Sequence, residues 1–256
     1  MTKRKKFVLV SLVLALGLLA TQSVGVEYRY QALALLALVA YGASAWALFE
    51  DLKGVEWLMV LILPVLYPVS VGLFYFLLPQ QILSRVFILG LFGVGMYALL
   101  LTANIFSVAA IRTIQLLRAA HAVAFVLILV AGWFLFDTIW SFKLAFWLNA
   151  LLVGGVTELL LLVGLWSMEL TEGGISGRVL KYSGVLSGLL AAVAMALSFW
   201  PVSVVLGSLF LVSMLYVGLG LSQQYFAGRL FQNTVKEYLM VGLVVVITMM
   251  WVTYWG

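Results

Sequence analysis

The residue best placed for chemistry is Glu158, in the middle of the stretch LLVGGVTELLLLVG (151–164). A carboxylate between two apolar runs can carry a proton, anchor a cation or substrate group, or bond a polar group on a neighbouring helix. Counted from Trp166, it lies about 8 residues, or roughly 12 Å, inside the run. An unpaired ion at that depth costs about 3 kcal/mol or more. Gly154 and Gly155, one turn earlier, let a second helix approach closely. Glu158 is therefore expected to face the interior of a bundle rather than lipid, as a binding residue or as a packing contact.

The groups expected to meet it are Tyr67 and Ser70, with Ser213 and Thr248 behind them and Tyr97 at comparable depth. Tyr67 and Ser70 belong to WLMVLILPVLYPVSVGLFYFLLP, where Pro64 and Pro68 stand one turn apart. Pro68 removes a donor and frees the Pro64 carbonyl. That pattern fits either a broken helix lining a cavity or a packed kink. The kink is favoured, because membrane helices tolerate proline.

A second set lies in ANIFSVAAIRTIQLLRAAHAV (103–123), which carries Arg112, Arg118 and His121, and in FAGRLFQNTVKEY (226–238), which carries Arg229. Arginines at helix ends suit the phosphate of an anionic headgroup. The plainer reading is a topology signal on a solvated face.

Other chemistry is excluded by residue type. The chain has no Cys and a single His, so disulfides, thiolate nucleophiles and multi-histidine metal sites drop out, and no metal or cofactor is expected. GISG (174–177) has the Gly-x-Ser-Gly form of intramembrane serine proteases. It lies in a polar loop, however, with the only His before it in the chain, the wrong order for that family. YSGVLSG (182–188) offers small residues for helix packing. There is no HExxH and no phosphate-binding glycine loop.

The elements that must position these residues follow from composition. Of 256 residues, 66% are apolar and 9% charged, whereas a soluble domain is about a quarter charged. Nine apolar runs are each about long enough to cross a bilayer: 7–25, 32–49, 57–78, 86–104, 119–140, 144–166, 182–200, 202–222 and 239–255. The first has a basic flank like a signal peptide. Its apolar run is too long and lacks an A-x-A site, so it is read as a span.

The fold class is thus an all-α, polytopic transmembrane bundle of about nine helices, a single domain over 1–256. With the N-terminus inside, Lys3, Arg4, Lys5, Lys6, Lys53, Arg112, Arg118, Arg178, Lys181, Arg229 and Lys236 fall on the cytoplasmic side. Only Arg29, Arg85 and Lys143 fall outside. This bias predicts an N-in, C-out protein of the inner (cytoplasmic) membrane. It also accounts for the net charge of +5 without nucleic acid.

The runs LLLTANIFSVAAIRTIQLLRAAHAV, LSFWPVSV and GRLFQNTVKEY resemble a family of bacterial polytopic membrane proteins of unknown function. The resemblance covers most of the chain after the first span. It implies a bacterial membrane protein and carries no activity.

Three function classes fit. A non-catalytic component or scaffold of a membrane assembly is favoured, because loops are short and catalytic sets are absent. A binding or transport protein for a small or lipid-like substrate would use Glu158 and the arginines; nine spans without an internal repeat count against it. An intramembrane enzyme acting on a lipid-linked substrate would have to work with Glu158, His121, Asp137 and arginine alone. The expected partners are membrane lipids, anionic ones included, and other membrane subunits.

Overall fold

The computed structural model describes residues 2–78, 82–109, 116–170 and 174–253; Arg112 and Gly256 lie outside them. Among the described residues it is helical, with α1 (Lys3–Ser23), α2 (Arg29–Leu48), α3 (Glu56–Leu77), α4 (Ile82–Ala109), α5 (Leu117–Ser141), α6 (Phe146–Trp166), α7 (Gly177–Leu197), α8 (Val204–Phe226) and α9 (Gln232–Val252). All nine are long and apolar enough to cross a membrane. They correspond one to one with the apolar runs. Several reach beyond them: α1 starts at Lys3, α7 at Gly177 and α9 at Gln232. Hydropathy measures the thickness of hydrocarbon, and a helix has no reason to stop there. Long basic side chains continue it into the headgroup layer with their charges in water.

The helices form two compact units, the first reaching to Ala131 and the second comprising mainly Gly132–Glu169 and Ile175–Gly256. In the first, α1 packs on α2 and α4, and α3 packs on the same two, so the four helices close on one another. Leu14, Leu18, Met59, Phe92 and Met96 fill the centre. α3 stays helical through Pro64 and Pro68, both buried. Tyr67, one turn after Pro64 and next to Pro68, lies flat on Phe92 of α4, with ring centroids 5.5 Å apart and planes within 4°.

In the second unit α6 and α7 make the most extensive pair, α8 packs on both, and α9 packs on α8. Gly132 of α5 fits against Leu215 and Leu160, and Gly207 of α8 lies beneath the Trp140 ring. These close approaches use small residues, as expected where lipid supplies no hydrophobic drive between helices. Ser176 and Ser203 cap α7 and α8, accepting from the backbone N–H of Val179 and Leu206. The far end of α8 closes on Gly228 at φ +65°. The Arg229 N–H reaches Gln224 O and the Gly228 N–H reaches Tyr225 O, a Schellman turn that needs the left-handed residue.

Candidate functional site

Glu158 is near the middle of α6, and its surroundings are set by Gly154. A Cβ there would sit 3.0 Å from Ala191 Cβ, a tight contact, and 3.7 Å from Ser187 O of α7, so the glycine eases the close approach of the two helices. The approach brings two serines, one turn apart on α7, opposite one carboxylate. Ser183 Oγ donates to Glu158 Oε1 at 2.7 Å and Ser187 Oγ to Oε2 at 2.8 Å. Both serines are buried, while Glu158 is half-buried.

Each hydroxyl has a second acceptor within reach: Leu180 O for Ser183 (3.2 Å) and Gly184 O for Ser187 (3.1 Å). Two closed patterns are therefore available. With Glu158 ionised, both serines donate to it. With Glu158 protonated, the acid donates to one serine oxygen and that serine donates to its own helix.

The small residues of YSGVLSG thus divide by face. Ser183 and Ser187 turn to α6, whereas a Cβ at Gly184 or Gly188 would meet no described atom within 4 Å. Reading all four as packing residues missed the serines as ligands of Glu158. The signal was present: two hydroxyls at i and i+4 match the two oxygens of a facing carboxylate.

The other residues expected near Glu158 have the following contacts. Tyr67 and Ser70 belong to the first unit, where Tyr67 stacks on Phe92 and Ser70 Oγ donates to Tyr67 O at 2.8 Å. Ser213 and Thr248 are in the second unit, but their hydroxyls bond Leu209 O (2.7 Å) and Val244 O (2.8 Å) on their own helices. The structure does not bring either to Glu158.

Of the arginine set, Arg118 is exposed at the start of α5, and the His121 ring lies tilted against Phe106 with centroids 5.4 Å apart; both belong to the first unit. Arg229 is exposed in the second, and Arg112 lies outside the described residues.

Further polar contacts join neighbouring helices. Asp137, 6% exposed, accepts from Ser208 Oγ at 3.0 Å, joining α5 to α8. Asn149 Nδ2 reaches Ser198 Oγ at 3.3 Å, and Gln223 Nε2 reaches Gly164 O at 3.1 Å. In the first unit Lys3 Nζ donates to both oxygens of Asp51 at 2.7 and 2.8 Å, and Asn104 Nδ2 adds a third bond at 2.6 Å. Beside it Lys6 pairs with Glu50 at 3.1 Å. That hydrogen bond and charge hold the Glu50 carboxyl below the usual carboxylate range. Arg178 lies over Tyr225 and Phe226 and pairs with Glu169. Among the described residues, no three His, Asp or Glu side chains come together as a metal site.

Replacing Glu158 should discriminate by shape and hydrogen bonding. Glu158→Gln keeps an acceptor for one serine and offers the other a donor, so thermal stability in detergent should stay within about 0.5 kcal/mol of wild type. Glu158→Leu leaves Ser183 and Ser187 to their own carbonyls and should cost about 1–2 kcal/mol. Equal losses in the two variants would mean the serines do not engage the side chain.

Nine apolar helices among the described residues, with polar side chains spent on contacts between them, define a multi-pass membrane protein. The chain belongs to the family described as Protein of unknown function (DUF5656), whose model matches residues 32–252. α1 precedes the matched segment. No curated protein and no solved structure matches the chain.

Proposed function

We propose that this protein is a non-catalytic component of an assembly in the inner membrane of a bacterium, oriented with its N-terminus in the cytoplasm. The observation that carries the reading is the use made of Glu158. Its two oxygens are taken by Ser183 and Ser187 of the adjacent helix, which is how a membrane bundle fixes the register of two helices. Asp137 with Ser208 repeats the device. The distribution of lysine and arginine supports the orientation.

A second reading, binding or transport of a small or lipid-like anionic substrate, is favoured by the half-buried state of Glu158. One face of a closed hydrogen-bonded group remains open to a ligand. The two separate in one experiment. Tagged wild type, Glu158→Gln and Asp137→Asn are extracted gently and sized. A scaffold keeps the same complex, larger than the 28.1 kDa chain, in all three. A chain that runs alone, and whose solute-dependent stabilisation or uptake disappears with Glu158→Gln, overturns the proposal.

A further inference from the structure

α1 begins with four consecutive cations, and the helix divides them between two faces. Lys3 and Lys6, three residues apart, turn to Asp51 and Glu50. Arg4 and Lys5 turn the other way, exposed, and make no ion pair with a described residue. On their face the next turns present Val8 and Leu9, Leu12 and Val13, then Leu16. The spacing of four makes a two-residue-wide apolar stripe that starts at the two cations and slants round α1 by about 40° per step.

With Arg4 and Lys5 the stripe lines an open groove of about 520 Å³. Its length, from Arg4 to Leu16, is about 18 Å at the α-helical rise. That is close to half of a hydrocarbon core of roughly 30 Å, the depth of one leaflet.

Apolar side chains facing lipid are ordinary in a membrane bundle. What distinguishes this face is a shallow furrow between two side-chain rows of α1, about one leaflet long, that ends on two cations with no acidic partner among the described residues. The first turn of α1 has no acidic residue and no side-chain cap, so its N–H groups add to the positive field. We propose that the groove holds one anionic phospholipid, its phosphate at Arg4 and Lys5 and an acyl chain along Leu9, Leu12 and Leu16. The site uses neither Glu158 nor Asp137, and it stands whether or not the protein is an assembly component.

The test is lipid retention by the full chain. Protein is reconstituted in nanodiscs of mixed phosphatidylglycerol and phosphatidylcholine, released into the gas phase, and the retained lipid is weighed. Wild type should keep one phosphatidylglycerol in preference to phosphatidylcholine. Arg4→Gln with Lys5→Gln should lower that preference about tenfold. The double variant leaves Lys3 and Lys6 on Asp51 and Glu50, so its melting temperature in phosphatidylcholine should equal that of wild type. Leu12→Trp fills the groove without altering charge and should lower retention as well. Lys181→Gln with Lys236→Gln removes the same charge elsewhere and should change nothing.

An unchanged preference in the Arg4/Lys5 pair or in Leu12→Trp overturns the site. So does an equal loss in the Lys181/Lys236 control, which would make the effect one of bulk charge. Displacement of the lipid by inorganic phosphate alone would likewise overturn it, since the groove would then contribute nothing.

Discussion

Gly95→Ala should destabilise the first unit by about 2–3 kcal/mol, although the same change in an open helix gains stability. A Cβ at Gly95 would fall on the Tyr67 hydroxyl and stand 2.8 Å from Cζ of that ring. The ring is 4% exposed and lies flat on Phe92, which is itself buried, so it has no free direction in which to tilt. The cost is therefore overpacking in a dense core, where misplaced atoms shift backbone. Two comparisons make the prediction specific. Gly90→Ala, also in α4 but with no described atom within 4 Å of a Cβ, should be neutral or stabilising. In a Tyr67→Leu background the penalty of Gly95→Ala should shrink to below about 1 kcal/mol, the coupling expected of touching residues. Thermal unfolding in one detergent measures all four variants, and an additive double mutant would show that the two residues do not meet.

Asp51→Ala should cost about 2–3 kcal/mol, also in the first unit. One carboxylate accepts two bonds from Lys3 and one from Asn104, and so ties α1 and α4 to the turn after α2. Its side chain is 14% exposed while that of Lys3 is 40% exposed. Lys3 can therefore return to water, and the loss falls short of that for a fully buried pair. Asn104, half-buried, loses its bond at 2.6 Å as well. Asp51→Asn, which can still accept from Asn104, should cost roughly half as much, and added salt should narrow the gap between wild type and Asp51→Asn. A loss of the same size in both variants, insensitive to salt, would assign the effect to the turn itself.

These two sites show where the sequence was legible and where it was not. The spans could be read because crossing hydrocarbon demands length and apolarity, and both are local properties. Which face of each span lies inside could not be read, because lipid and protein interior are both apolar and no periodicity separates them. Gly95 and Gly90 look alike in the sequence; only the fold places Tyr67 against one of them. Glu158 announced itself by its cost in lipid. Its partners Ser183 and Ser187 lie on the neighbouring helix, in a motif whose glycines suggested packing alone. Asp51 drew no notice because an acidic residue in a loop has no cost to explain. Its role arises from the fold, which brings Lys3 and Asn104 to it.

The claim that polar side chains here join parts of a scaffold is tested most directly by native mass spectrometry of the wild-type protein released from its own membrane. The account predicts the 28.1 kDa chain together with protein subunits in a fixed ratio, unchanged by Glu158→Gln. The bare chain carrying a small solute, lost on Glu158→Gln, would contradict it.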